Sequence, residues 1–145
     1  MAEEYQANWA DALAAAPPDP ASQLNALIKA DFNDAICTSD RLAAWCAFWG
    51  EAQSRPLYLE QCGANDREYI RMKEDICRRL VEDGSYSLDP ARAARVIRVT
   101  VEGVWLDLIS TTEPYSKDEA LKTMYFCAAA FFPDHFDAEG LKVRR

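Results

Sequence analysis

The chain has 145 residues, a length that suits one domain with one hydrophobic core. Half of its residues are hydrophobic and 11% are aromatic, which excludes a disordered chain. Only 5 residues are glycine while alanine and leucine are abundant, a composition that favours helices. The formal net charge of −8 repels phosphates, so we do not expect this chain to bind nucleic acid unaided.

Targeting and membrane signals are not evident in the sequence. The stretch from Met1 to Trp9 carries two glutamates instead of the apolar run of a signal peptide. Nowhere does an apolar run approach the roughly 20 residues that a membrane span requires. We therefore expect a cytoplasmic protein with no membrane partner.

Three helices are predicted in the first part of the chain. The first covers residues 3–15, where apolar side chains recur every four positions and two prolines follow. The second begins at Asp19-Pro20, with aspartate as the cap and proline at the first helical position. The third runs from about Thr38 to about Ser54 and is apolar on more than one side, which predicts a place in the middle of a bundle.

Two longer helices follow. The fourth begins at Pro56 and runs to about Asp83, and Gly84 is a fitting C-terminal residue for it. The fifth repeats the cap-plus-proline start at Asp89-Pro90 and ends near Thr111. Each carries an apolar stripe with helical spacing, and the stripe of the fourth helix includes Tyr58.

The sixth helix completes the predicted fold. It opens at Ser116, with Glu119 three positions later as in a capping box, and it stops at Pro133. The sequence therefore predicts an all-α fold, an antiparallel bundle of about six helices. Residues 1–133 form its one domain, and residues 134–145 are predicted to be a polar C-terminal tail.

Few residues in the sequence could support catalysis. The one histidine, His135, falls in the predicted tail, and we interpret it as solvated. No phosphate-binding, dinucleotide-binding or zinc-protease motif occurs, so we predict no catalytic residue, no metal site and no cofactor. The cysteines are odd in number and widely spaced, which predicts small, reduced, mostly buried side chains. They are Cys37, Cys46, Cys62, Cys77 and Cys127.

Aromatic side chains are concentrated on the predicted central helices. Trp45, Phe48 and Trp49 lie within one and a half turns, and further rings have helical phases that point to the same interior. One interpretation is a core filled with large side chains. The other is a pocket that holds a quaternary ammonium ion by cation–π attraction. The predicted ligand-binding residues are Phe32, Trp45, Trp49, Tyr69 and Trp105.

These aromatic segments resemble a known family. Residues 42–52, which read LAAWCAFWGEA, strongly resemble the AAW-x-AFW-x-EA stretch of BetI-type repressors, a choline-responsive branch of the TetR family. Residues 102–106, which read EGVWL, are similar to the D-G-L-W-L segment of that family's penultimate helix. Residues 26–32 and 119–121 also resemble family segments. The resemblance covers roughly residues 20–132.

The resemblance implies the regulatory part of a repressor. In the family, an N-terminal helix-turn-helix head binds operator DNA and a body like this chain binds a small-molecule effector, here choline or a similar cation. This chain opens at what resembles the first helix of the body, so we expect the head to be absent from it. An effector held between the helices is expected to shift residues 3–15 and change the spacing of two heads.

The resemblance also implies a homodimer in which the last two helices of each subunit form a four-helix bundle. The predicted interface residues are Gly103, Ser110, Tyr125, Ala128 and Phe132. Packing within one subunit is the alternative interpretation of these positions. Asp107 stands where the family commonly has arginine, and we interpret it as an exchange of surface charge. A second function remains open: a headless helical protein that heterodimerises with a full-length repressor.

Overall fold

A computed structural model of the chain describes residues 2–51, 55–113 and 115–143. Within them the chain forms six helices and a short β-hairpin, so the predicted all-α bundle is confirmed. The elements are α1 (Ala2–Ala15), α2 (Pro20–Ala30), α3 (Ser39–Gly50), α4 (Arg55–Gly84), α5 (Pro90–Ser110), α6 (Lys117–Phe131), and the antiparallel strands β1 (Phe136–Asp137) and β2 (Gly140–Leu141). No described helix is long and apolar enough to cross a membrane.

Local capping explains where four of the helices begin. The side chains of Asp19, Thr38, Asp89 and Ser116 each accept a backbone N–H from the first turn of α2, α3, α5 and α6. These bonds satisfy N–H groups that have no partner within the helix. The predicted starts of these four helices are therefore confirmed. The predicted end of the third helix, near Ser54, lies outside the described residues.

Helix α3 lies at the side of the bundle, and the prediction that it occupies the middle is wrong. It packs against α4 and α5, and Leu42 and Trp45 are its buried residues. Its three alanines face outward, and Phe48 is only half-buried. An exposed alanine has little apolar area to lose to water, so a helix rich in alanine can be apolar on several sides and still lie at the surface.

The C-terminus of α4 is closed by a Schellman motif. The helix ends at Gly84 as predicted, but the left-handed residue is Ser85, with φ of 55°, and the Tyr86 N–H donates to the Val81 carbonyl at 3.0 Å. Glycine usually takes the position of Ser85. Gly84 is needed for another reason, because a Cβ atom there would lie 2.4 Å from the ring of Tyr86.

The described part of the predicted tail is folded against the bundle. Phe136 is buried, and its neighbour His135 is buried with it. His135 Nδ1 lies 2.6 Å from the Tyr86 hydroxyl, and its Nε2 lies 2.9 Å from a carboxylate oxygen of Asp83. The prediction of a solvated His135 is wrong. Because the adjacent Phe136 is buried, the imidazole is buried too, and it contacts Tyr86 and Asp83 at the end of α4.

Helices α4 and α5 form the centre of the molecule. The elements that pack on α4 are α1, α2, α3 and α5, and those that pack on α5 include α3 and α6. Leu24, Leu27 and Ile28 of α2 are fully buried and continue this core. Because α1, α3, α4 and α5 meet at large, differently shaped aromatic side chains, they leave a cavity between them.

Candidate ligand-binding cavity

The cavity lies between α1, α3, α4 and α5 and has a volume of about 80 Å³. Drug-sized ligands occupy pockets of roughly 300–1,000 Å³, so this space suits a compact molecule. Its lining combines aromatic rings with charged groups of both signs. The lining residues are Tyr5, Trp45, Trp49, Asp66, Tyr69, Ile70, Lys73, Arg98, Val101, Glu102 and Trp105.

Three indoles form one wall of the cavity. The rings of Trp45 and Trp49 have centroids 5.8 Å apart, and Trp49 stacks against Trp105 at 6.3 Å with an interplanar angle of 19°. Trp45 and Trp105 are buried, whereas Trp49 is 36% exposed and so forms the rim. The electron-rich faces of such rings attract cations, most strongly where water is excluded.

The buried residue Asp31, which follows α2, orients three of the lining rings. Its carboxylate oxygens accept hydrogen bonds from the Tyr5 hydroxyl at 3.2 Å and the Tyr69 hydroxyl at 3.3 Å. The indole N–H of Trp105 donates to the backbone carbonyl of the same residue at 2.9 Å. Burial raises the pKa of both tyrosines well above the ordinary value, so they keep the protons that they donate.

Lys73 of α4 is the buried cation of this region. Its Nζ lies 3.8 Å from Asp31 Oδ2 and 4.8 Å from the centroid of the Tyr69 ring. Burial lowers the pKa of Lys73 and raises that of Asp31, because it disfavours the charged form of each. One face of Tyr69 is therefore already next to an ammonium group of the protein itself.

Three further charged residues line the cavity nearer to solvent. Asp66 and Glu102 are half-buried carboxylates, and Arg98 lies 3.5 Å from Glu102 one turn away on α5. Partial burial raises the pKa of Glu102, and the charge of Arg98 opposes that shift. The lining thus presents two basic and two acidic side chains around the indoles.

Comparison with known proteins places the chain in a family. The model for the C-terminal part of BetI-type transcriptional repressors matches residues 20–133. The chain belongs to the BetI-type repressor family. The members of this family are transcriptional regulators, not enzymes. The resemblance drawn from the tryptophan motifs is confirmed.

Curated relatives support the assignment. The HTH-type transcriptional regulator BetI of Paraburkholderia xenovorans is 30% identical over 112 residues, which cover 75% of this chain and 54% of the relative. BetI of Pseudomonas paraeruginosa is 28% identical over 107 residues, 73% of this chain and 52% of the relative. BetI of Pectobacterium carotovorum is 28% identical over 109 residues, with the same coverages. This chain spans about half the length of these relatives. No solved structure matches it significantly.

Four of the five residues predicted to bind the effector line the cavity of this BetI-type domain: Trp45, Trp49, Tyr69 and Trp105. Phe32 does not line it; it is buried in the core. The side chain of Tyr58, assigned to the inner stripe of α4, lies outside the described residues. Asp107 is exposed and accepts a hydrogen bond from the Tyr115 hydroxyl at 2.5 Å, away from the cavity lining.

Sequence reasoning missed Tyr5, Asp31 and Lys73. Asp31 and Lys73 could have been recognised because each is a charged residue within an otherwise apolar helical stripe. Asp31 follows Leu27 and Ile28 at helical spacing, and Lys73 falls between Tyr69 and Cys77 on the inner side of α4. A buried charge needs a partner, so two such charges of opposite sign could have been proposed as a pair.

The five thiols are free, and Cys37, Cys62 and Cys77 are buried as predicted. Cys46 and Cys127 are half-buried. Burial raises the pKa of Cys77 to about 12, so this thiol stays protonated at neutral pH. The buried cysteines act as small hydrophobic side chains of the core.

The outward surface of α5 and α6 differs in part from the predicted dimer interface. Gly103 and Ser110 are exposed as expected, but Tyr125, Ala128 and Phe132 are buried within the single chain. The Tyr125 hydroxyl donates to Asn25 of α2 at 2.8 Å, which shows that this side of α6 faces the core. The assignment of these three side chains to an outward face is therefore wrong. Helix α6 is oriented about its own axis so that these positions face the core.

A different set of residues forms the exposed stripe, which we call the α5/α6 face. Its members are Val99, Gly103, Leu106 and Ser110 on α5, and Glu119, Thr123, Phe126 and Ala130 on α6. Both sets have the spacing i, i+4, i+7 and i+11, which places each on one side of its helix. Phe126 is 74% exposed and Leu106 is 52% exposed.

Proposed function

We propose that this chain is the effector-sensing and dimerisation part of a BetI-type repressor, with choline or a similar compact cation as its effector. The observation that carries the proposal is a small cavity walled by Trp45, Trp49 and Trp105 with the carboxylates of Asp66 and Glu102 in its lining. Indole faces and carboxylates both attract a quaternary ammonium ion, and its methyl groups gain apolar contact.

Helix α1 is well placed to transmit the presence of an effector. Tyr5 of α1 lines the cavity and meets Trp45 and Trp105 edge-on, with ring centroids 6.1 Å apart in both cases. An effector that enters between these rings changes the contacts that hold α1. In the proposed full-length protein, a DNA-binding head precedes α1, and a displacement of α1 alters the spacing of two heads. Such coupling requires an effector that binds one arrangement more tightly than the other.

The proposed partner at the α5/α6 face is a second copy of the chain. The apolar side chains of Leu106 and Phe126 lie exposed there, and Gly103 allows close approach because no atom lies within 4 Å of a Cβ built on it. Two copies that meet at this face form a symmetric four-helix bundle, in which each stripe covers that of its partner. The acidic chain leaves operator binding to the head.

Calorimetric titration with choline tests the proposed effector site. In the Trp49→Ala variant we expect the dissociation constant for choline to rise about five- to thirtyfold, because a partly exposed cation–π contact contributes about 1–2 kcal/mol. Trp49 is at the rim, so the substitution leaves the core intact and circular dichroism should be unchanged.

Two controls make the titration decisive. Cys46→Ala changes a half-buried residue of the same helix that does not line the cavity, and it should bind choline as the unmodified chain does. The neutral carbon isostere of choline should bind weakly to every variant. Equal binding of choline and its isostere, or unchanged choline affinity in Trp49→Ala, contradicts the proposal.

A further inference from the structure

Among the residues that the structure describes, Lys73 is the one ionisable amine of the cavity lining that is almost completely buried, with 1% exposure. A lysine ammonium carries three N–H donors and is normally hydrated or surrounded by acceptors. Placing it in an apolar interior is costly unless those donors are bonded.

The ammonium of Lys73 lacks a hydrogen-bond acceptor within the described part of the chain. Asp31 Oδ2 is 3.8 Å away, which is close enough for ion pairing but too long for a hydrogen bond. Both oxygens of that carboxylate already accept hydroxyls, from Tyr5 and Tyr69. Lys73 is therefore neutralised in part by Asp31 but keeps unsatisfied donors beside the cavity.

The charges in the lining do not match a simple cation. Among the lining side chains, Lys73 and Arg98 are basic and Asp66 and Glu102 are acidic, and the carboxylate of Asp31 behind Lys73 is already occupied by two tyrosine hydroxyls. A cationic effector gains from the indoles and the carboxylates but is repelled by the buried ammonium. An effector that also carries a carboxylate converts that repulsion into a charge-assisted hydrogen bond, which is about twice as strong as a neutral one.

From these observations we infer that the effector is a compact zwitterion, whose quaternary or alkylated ammonium lies against Trp45, Trp49 and Trp105 and whose carboxylate accepts hydrogen bonds from Lys73. This inference rests on the proposed effector site and replaces the simple cation by a zwitterion that carries the same kind of ammonium group. It assigns Lys73 as the residue that distinguishes a zwitterion from a cation of the same size.

Titration with matched small molecules tests the inference. The probes are trimethylglycine, which carries both charges, choline, which carries the cation alone, and tert-butylacetate, which carries the carboxylate alone. The unmodified chain should bind trimethylglycine at least tenfold more tightly than choline, and tert-butylacetate more weakly than trimethylglycine. Lys73→Met should abolish the tenfold preference while choline binds as tightly as before or more tightly.

Removal of Lys73 alone leaves the Asp31 carboxylate buried without a cation, which destabilises the fold. The double variant Asp31→Asn with Lys73→Met removes both charges and keeps the side-chain volumes similar. Its folding is checked by circular dichroism, and the same loss of preference is expected. The single variant Arg71→Met serves as the matched control, because it removes an exposed basic group of the same helix that does not line the cavity and should preserve the preference for trimethylglycine.

The outcomes separate this inference from the proposed function. Tighter binding of choline than of trimethylglycine to the unmodified chain overturns the zwitterion and leaves the cation site standing. An equal loss of both ligands in the double variant also overturns it, since Lys73 then has no role specific to the carboxylate. Failure of both trimethylammonium compounds to bind overturns the proposed function together with the inference.

Discussion

The buried carboxylate of Asp31 interacts with three side chains at the cavity. It accepts the hydroxyls of Tyr5 and Tyr69 and faces the ammonium of Lys73, and these residues belong to α1 and α4. A single side chain after α2 thereby ties two other helices together and sets the angle of two rings in the lining. Buried polar groups connected in this way favour one arrangement of neighbouring side chains over others.

Asp31→Ala is expected to destabilise the domain by about 3–5 kcal/mol, because it leaves Lys73 as an uncompensated buried charge and both tyrosine hydroxyls without their acceptor. Urea unfolding followed by tryptophan fluorescence measures the change as a lower midpoint.

Asp34→Ala is the matched control for this substitution. Asp34 is three residues further along, its side chain is 96% exposed and it pairs with Lys117 at the surface. Its removal should leave the urea midpoint almost unchanged, because exposed ion pairs contribute little. A loss in Asp31→Ala below about 1 kcal/mol would mean that the buried cluster is weakly coupled to folding.

At the scale of elements, the end of α4 shows how a local turn and a distant segment depend on each other. Ser85 takes a left-handed conformation so that the chain can reverse, and the ring of Tyr86 then packs on Phe132 and contacts His135. The same turn therefore supplies the surface on which the C-terminal hairpin lies. Gly84 leaves the space that this close approach requires.

Substitutions at the two neighbouring positions should have opposite effects. Ser85→Gly is expected to stabilise the domain by about 0.5–1 kcal/mol, because glycine adopts positive φ without steric cost. Gly84→Ala is expected to destabilise it by about 1–3 kcal/mol, since the added methyl group overlaps the rings of Tyr86 and His135. Thermal unfolding by calorimetry measures both as shifts of the melting temperature in opposite directions.

Gly63→Ala provides the control within the same helix. A Cβ atom there would meet only the flexible tip of Arg67, at 3.5 Å, so alanine should stabilise α4 through its higher helix propensity. A stabilising Gly84→Ala would show that Tyr86 and His135 move aside at little cost.

At the scale of the whole molecule, the α5/α6 face is the feature that a single chain leaves incomplete. It places exposed leucine, valine and phenylalanine side chains on two adjacent helices, and their burial requires a partner. In the proposed repressor, the effector cavity lies on the other side of α5, where Trp105 and Val101 face inward. Helix α5 therefore contributes to both the sensing site and the proposed interface.

Phe126→Glu is expected to convert the proposed dimer to a monomer of 16.3 kDa, because it places a charge in the centre of the α5/α6 face. Analytical ultracentrifugation at micromolar concentration measures the mass. Val143→Glu changes an apolar residue of similar exposure outside the face, and this control should remain dimeric. A dimeric Phe126→Glu variant, or an unmodified chain that sediments as a monomer, contradicts the proposed interface.

The helices, the family and most of the aromatic lining could be predicted from the sequence. Capping residues such as Asp19 and Ser116, and prolines that directly follow a cap, act through backbone groups one turn away, so they can be recognised without knowledge of the rest of the fold. Each tryptophan motif is a short continuous segment, and the helical phases of Trp45, Trp49 and Trp105 predict that all three face the same interior.

Three features could not be predicted and depend on how the helices pack: the rotation of α6, the burial of His135 and the pairing of Asp31 with Lys73. An apolar helix that has large residues on two sides, such as α6 with Tyr125 and Phe126 side by side, does not specify which side faces the core; packing against α2 selects it. A charge within an apolar stripe likewise has no interpretable role until the helix that supplies its partner is in place. These features depend on residues that are distant in the chain, and their energies arise from contacts that exist only after the helices have packed.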